Sequence, residues 1–193
     1  MSNNDHIPLR TLFQKAPIVP AVRKPEHLDL ALAAHGKVIF FLTGNPENCE
    51  TMFRKTLDAG KIPFVNLDLL NGFARDKHAV NYLRHCGVAG IISTHTEILR
   101  HVRSLGLYAV QRTFLVDSGA METISTQLKS TQVDALEVLP ALVAPKMLDR
   151  VRHISPETTV MGGGLISTMK ELEELLLQGL RAVSIGNPQM WIS

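Results

Sequence analysis

Apolar residues in this chain fall in short, nearly continuous runs, separated by stretches whose apolar positions recur every three to four residues. The runs cover 18–22, 38–43, 62–68, 89–94, 108–114, 135–139, 159–162 and 182–185. Rich in β-branched residues and lacking strict alternation, they suit parallel strands covered by helices. Between the first two, Leu28, Leu30, Ala31, Leu32 and Ala34 give one broad apolar side to a helix over 26–34. Met169, Leu172, Leu175 and Leu176 do the same over 168–177. Asn45-Pro46 and Ser155-Pro156 mark loops, and Pro46 is placed to open a helix. Eight even repeats with seven helices between them predict one closed (β/α)8 barrel, of the TIM type, over residues 1–193. Residues 188–193 leave room for barely one turn, so the last helix is short or missing. An open, doubly wound sheet is the competing architecture, and it has no need of eight even repeats.

Composition adds mainly exclusions. The 193 residues are 45% hydrophobic and 20% charged, with a net charge of only +2. No global field therefore announces a polyanionic partner, and a nucleic-acid role must use a local patch. The two cysteines, Cys49 and Cys86, lie on predicted helices without C-x-x-C or C-x-x-H spacing. They read as half-buried free thiols of a reducing cytosol rather than as a disulfide or zinc framework. Residues 1–5 are polar, so no secretory leader is expected. The longest apolar run, 38–42, is strand-sized and far too short to cross a bilayer. A soluble cytoplasmic protein with no membrane partner follows. Of the eight histidines, His6, His27, His35, His78, His85, His101 and His153 lie on predicted helices or at their ends. Only His95 sits near a strand end. Without His-x-His or His-Glu-x-x-His spacing, no metal site is expected.

Barrel sites are built where strands end, and there the chain is polar. Val160-Met-Gly-Gly-Gly164 and Val183-Ser-Ile-Gly-Asn187 are two successive glycine-bearing ends, the pattern of a phosphate cradle made by the last two strand–helix loops. Glycine lets the backbone approach an anion and point N–H groups at it, so Gly163, Gly164, Gly186 and Asn187 are candidate phosphate ligands. The other ends offer Arg23, Asn66, Asp68, Gln111, Arg112 and Glu137. Arg23 and Arg112 stand among apolar neighbours. If buried, each must meet a ligand anion or a carboxylate, with Asp68 and Glu137 at hand. Those two carboxylates could instead divide acid–base roles. Basic residues cluster at Arg100, His101 and Arg103, and again at Lys146, Arg150, Arg152 and His153. Either group could touch a nucleic-acid backbone, or be plain solvated helix surface. Aromatics for stacking single-stranded bases are scarce.

Taken in order, Ile91-Ile-Ser-Thr94, Gln111-Arg112-x-Phe114-Leu-x-Asp117-Ser118, Glu137-x-Leu-Pro140, Pro145-Lys146, Gly163-Gly-Leu-Ile166 and Trp191 resemble the glycerol-3-phosphate-responsive antiterminator family. The resemblance runs from about Ile18 to Trp191. It implies a TIM-barrel regulator with no catalytic set and no cofactor. Such a protein binds glycerol 3-phosphate and acts on the mRNA leader of a glycerol-use operon. The phosphate would lie at Gly163, Gly164, Gly186 and Asn187. The glycerol hydroxyls would meet Arg23, Asn66, Asp68, Gln111, Arg112 or Glu137. RNA would meet Lys146, Arg150 and Arg152, on a surface completed by a homodimer or an ordered loop. The chain departs from the family at Asn66-Leu-Asp68-Leu69, where His-x-Asp-Leu is usual, at Ala141 for a common glycine, and at Ser184-Ile-Gly-Asn187. The expected ligand is therefore glycerol 3-phosphate or a related phosphorylated metabolite. The competing reading is a phosphosugar lyase or isomerase using Asp68 or Glu137 as base, without a strand-end lysine for Schiff-base chemistry.

Overall fold

Alternation along each strand decides which residues fill the barrel and which meet the helices. The computed structural model describes residues 7–192; the expectations for residues 1–5 and for His6 lie outside the described residues. The strands are β1 (Ile18–Val22), β2 (Val38–Phe41), β3 (Ile62–Asn66), β4 (Gly90–Ser93), β5 (Tyr108–Phe114), β6 (Ala135–Leu139), β7 (Thr159–Gly163) and β8 (Ala182–Ile185). Each pairs in parallel with the next, and β8 returns to β1 through Ile18↔Val183, closing the barrel. The open-sheet alternative is excluded.

Inside the barrel, Val19, Ala21, Val38, Phe40, Phe64, Ile92, Tyr108, Val110, Ala135, Met161 and Ala182 form one core. Phe40, Phe64 and Tyr108 stack in sequence, with ring centroids 5.7 and 5.4 Å apart. A Cβ at Gly90 would come within 2.5 Å of the Phe64 ring, so glycine on the neighbouring strand is what admits the stack. The residues between, among them Val22, Ile39, Phe41, Val65, Ile91, Leu136 and Val183, point outward into a second core under the helices. Burial on both faces is why the strands read as continuous apolar runs.

The helix layer comprises α2 (Leu28–Ala33), α3 (Cys49–Asp58), α4 (Lys77–His85), α5 (Thr96–Ser104), α6 (Ser118–Ser130), α7 (Leu148–Ile154) and α8 (Met169–Leu177). A helix ahead of β1 is a finding beyond the sequence reading: α1 (Leu9–Phe13) buries Leu9 and Phe13 against the interior core and stoppers the N-terminal end of the barrel. The Leu9, Leu12, Phe13 spacing was its signal. Tyr108 extends the stopper by donating from its hydroxyl to the Ile7 carbonyl at 2.8 Å.

After β8 the described residues form a 3₁₀ turn, Pro188–Met190. Trp191 closes it. Its side chain is buried and its indole Nε1 donates to the Ile185 carbonyl at 2.7 Å. Cys49 is buried at the start of α3 and Cys86 half-buried just beyond α4, both as free thiols that burial pushes up in pKa. Among the described residues, no helix is long and apolar enough to cross a membrane, and no three His, Cys, Asp or Glu side chains gather as they would for a metal ion.

Candidate anion site at the C-terminal end of the barrel

A cleft of about 440 Å³ opens where the strands end, lined by Ala21, Arg23, Leu42, Leu69, Arg112, Leu139, Gly164, Ser184 and Gly186. A second pocket of about 280 Å³ shares Arg23, Gly164, Ser184 and Gly186, and runs on to Leu165, Ile166 and Asn187. The two form one site between the ends of β1, β7 and β8. Another cleft of about 440 Å³ lies at the opposite end, against Arg10, Phe13, Leu180 and Arg181. It sits on the α1 stopper, whereas barrel sites are built by the loops after the strands.

The anion side comes from how β7 and β8 part. Their ladder ends at Gly163↔Ser184, because Gly164 and Leu165 turn away with φ of 75° and 58°. Glycine adopts that backbone freely; for Leu165 it is strained, a feature that concentrates at functional sites. Beyond the ladder, the N–H groups of Gly164, Leu165, Gly186 and Asn187 donate to no acceptor among the described residues. At Gly186 an added Cβ would stand 3.1 Å from Arg23 Cδ, so glycine is what lets the arginine lie alongside. The start of α8 is not part of the cradle. There Thr168 and Glu171 form a capping box, and the Glu171 carboxylate takes the N–H groups of Ser167 and Thr168 at 2.8 and 3.0 Å. Those two bonds, Ser167 first, hold the Glu171 carboxyl below its ordinary pKa.

Several candidate residues sit where the sequence reading did not put them. Arg23, expected to be buried, is exposed one residue past β1, and pairs with no carboxylate among the described residues. It is an unspent cation at the rim. Gly163 points inward, and a Cβ there would meet Ser184 Oγ at 2.7 Å and Glu137 Oε1 at 2.8 Å. Its missing side chain makes room for Glu137 rather than for a phosphate. Asn187 offers its backbone N–H, while its side-chain oxygen is taken by the last turn through Gln189 N at 3.1 Å. Gln111 faces the helices, donating from Nε2 to Gln127 on α6, because it is out of phase with the inward Val110 and Arg112. It cannot serve the cleft.

Asp68 is withdrawn as well. The chain leaves β3 in a 3₁₀ turn, Leu67–Leu69, set by Asn66 Oδ1 accepting from Asp68 N at 3.0 Å. That turn carries the Asp68 carboxylate to the end of β4, where Ser93 Oγ, Thr94 N and Thr94 Oγ1 donate to it at 2.7, 2.7 and 2.9 Å. Asp68 is a clamp between strand ends. Asn66 itself is inward and buried, and its Nδ2 has no acceptor among the described residues.

Under the cleft lies the charged floor. Strand register sets Arg112 beside Glu137, and the guanidinium grips the carboxylate by two bonds, Nε to Oε2 at 2.7 Å and Nη2 to Oε1 at 3.2 Å. Ser184 Oγ donates to Oε1 from β8. Arg112 is 9% exposed and Glu137 fully buried, so this is a charge pair removed from water and satisfied by its own partners. Of the two partners open to Arg112, Glu137 is the one it has. Ser184, which the sequence reading did not single out, completes it. Neither Asp68 nor Glu137 is presented to the cleft as a free base, and the lyase or isomerase reading loses its candidates.

The basic patch on the flank is largely self-paired. Arg150 meets Glu122 at 2.6 Å and Arg152 meets Asp149 at 3.4 Å, while Lys146 is exposed. In the other group, Arg103 is held by Asp134 at 2.5 Å.

Comparison with known proteins shows which family the chain belongs to. A family model described as the glycerol-3-phosphate responsive antiterminator matches residues 18–191, all eight strands and the closing Trp191. The chain belongs to that family. It is also 30% identical over 186 residues to the uncharacterized protein YgcP of Escherichia coli (strain K12), covering 96% of each chain. The crystal structure of a glycerol uptake operon antiterminator-related protein from Thermotoga maritima MSB8 superposes with a TM-score of 0.81 at 30% identity, covering 91% of this chain and 98% of that one. The glycerol uptake operon antiterminator regulatory protein of Listeria monocytogenes str. 4b F2365 gives 0.85 at 24% identity, covering 93% and 96%. Family membership supports a regulatory role.

The rim cation gives a first expected result. Arg23→Ala should weaken binding of a small phosphate ester roughly tenfold to hundredfold, the range of a charge-assisted hydrogen bond lost. The melting temperature should hold, because Arg23 is exposed and unpaired. Calorimetric titration beside a thermal melt checks both halves.

Proposed function

We propose that the protein is a cytoplasmic regulator that senses glycerol 3-phosphate or a related small phosphorylated metabolite and, in response, engages an mRNA leader to let transcription pass a terminator. The observation that carries the ligand half is the pairing of unspent loop N–H groups at Gly164, Leu165, Gly186 and Asn187 with the unspent Arg23, above a floor whose one carboxylate, Glu137, is consumed. Such a site holds a phosphate and does no proton transfer. It calls for no cofactor. Family membership carries the RNA half.

The ligand works by differential affinity for two states of the protein. In this reading RNA meets Lys146, Arg150 and Arg152 from β6 to α7. The exposed ion pairs at Arg150 and Arg152 are no obstacle, since surface pairs are weak enough to be exchanged for phosphate contacts. A homodimer would double this modest patch. Gel-shift titration of a glycerol-operon leader RNA at low salt, with and without glycerol 3-phosphate, tests the proposal. Ligand-dependent binding is expected. Failure to bind under both conditions would remove the antiterminator reading.

A further inference from the structure

The two cysteines of the chain meet between neighbouring helices, and the anion site uses neither. Cys49 opens α3 and is fully buried, while Cys86 directly follows α4 and is half-buried. Both pack into the core beneath the helices. The end of α4 lies against α3, since a Cβ at Gly87, the residue after Cys86, would come 2.5 Å from Leu57 Cδ1. In this contact the two thiols are within hydrogen-bonding reach of each other, and the Tyr82 hydroxyl reaches both. Among the described residues no third His, Cys, Asp or Glu gathers with them as for a metal ion. What the pair offers is thiol chemistry.

The two sulfurs are not equivalent. Cys86 is the one that a small solute can reach. Burial pushes its thiol up in pKa, and the Tyr82 hydroxyl, donating to the sulfur, draws it part of the way back. Tyr82 keeps its proton for this at neutral pH, because its own pKa is pushed up to about 12, first by the bond to Cys86. Cys49 is pushed up by burial and then by Cys86. The thiolate is the attacking species, so an oxidant meets Cys86 first and Cys49 waits behind it.

We propose that Cys49 and Cys86 form a peroxide-responsive dithiol, which hydrogen peroxide converts to a reversible disulfide within one chain. The Cys86 thiolate attacks one peroxide oxygen, the O–O bond breaks, and Cys86 becomes a sulfenic acid as hydroxide leaves. The Cys49 thiolate then attacks the Cys86 sulfur, the S–O bond breaks, and a second hydroxide leaves. With the two thiol protons, the products are one disulfide and two waters; the sulfurs are oxidised and the peroxide is reduced. A thiol reductant restores the pair by exchange. The bond joins the helices that follow β2 and β3, beyond whose ends Leu42 and Leu69 line the cleft.

Treating the whole protein with hydrogen peroxide, then unfolding, alkylating and mapping its peptides by mass spectrometry, tests this. The Cys49 and Cys86 peptides should be recovered joined, lighter by two hydrogens than their reduced sum, from protein that runs as a single chain on a non-reducing denaturing gel. Dithiothreitol should separate them. In Cys49→Ala, Cys86 should stop at the sulfenic acid and be trapped by dimedone. In Cys86→Ser, Cys49 should remain open to alkylation after the same exposure. Both cysteines alkylated separately in the treated wild type, a link between two chains, or Cys86 running on to a sulfonic acid would overturn the dithiol. Ready oxidation of Cys49 in Cys86→Ser would overturn the order of attack.

Discussion

Glu137→Ala should destabilise the barrel by about 3–5 kcal/mol, the cost of stripping a buried charge of its partner. The substitution leaves the Arg112 guanidinium inside the barrel with neither of its two bonds, and Ser184 Oγ without the oxygen it donates to. Much of the cost is therefore the unpaired charge and not the carboxylate itself. Two controls separate these. Glu137→Gln keeps the shape and an acceptor, and should lose less. The double replacement of Arg112 and Glu137 by apolar residues of similar volume should recover much of the stability, since a buried pair rarely outperforms well-packed hydrocarbon. Denaturant unfolding of the four proteins reads the result. A loss below about 1 kcal/mol for Glu137→Ala would mean that the pair is open to water and that the cleft has no sealed floor.

Trp191→Ala is expected to cost a similar amount, about 3–5 kcal/mol, for a different reason. Trp191 is the largest fully buried side chain among the described residues, and it packs into the core beneath the helices just beyond β8. Its indole packs edge-on to His27 at 6.4 Å and ties the last turn to Ile185. Because Ile185 directly precedes Gly186, the loosened turn should also weaken binding of a phosphate ester. Trp191→Phe restores bulk without the N–H, and should regain most of the stability but only part of the affinity. Thermal unfolding and calorimetric titration of the two variants measure this. Equal affinity in wild type and Trp191→Ala would disconnect the C-terminal turn from the cradle.

How much of this was legible in the sequence follows from what each feature depends on. Four strands, β1, β5, β6 and β8, end at the residues their apolar runs mark, because outward positions such as Ile39, Leu136 and Val183 are as apolar as inward ones. The glycine cradle was legible too, although which glycine does what was not. Gly163 and Gly164 are neighbours in sequence, yet parity sends one to Glu137 and the other to the cleft rim. The same parity separates Gln111 from Arg112, and anchoring it on the inward Tyr108 and Val110 would have found the difference. Arg23 and Arg112 look alike locally. Their fates diverge because β1 ends at Val22, while β5 runs two residues beyond Arg112 and meets Glu137 through a pairing set by barrel register. Such partners are decided across the barrel and leave no local mark. Asp68 lies off the cleft because Asn66 turns the chain early, its Oδ1 accepting from the Asp68 backbone N–H, a local contact that the apolar pattern does not mark.

The central claim is that the parted ends of β7 and β8 hold a phosphate. The most direct measurement is an amide chemical-shift titration of the labelled protein with glycerol 3-phosphate. The signals of Gly164, Leu165, Gly186 and Asn187 should move together and saturate at one ligand per chain, with the Arg23 side-chain signal following them. Shifts gathered instead around Arg10 and Arg181, at the stoppered end of the barrel, would contradict the account.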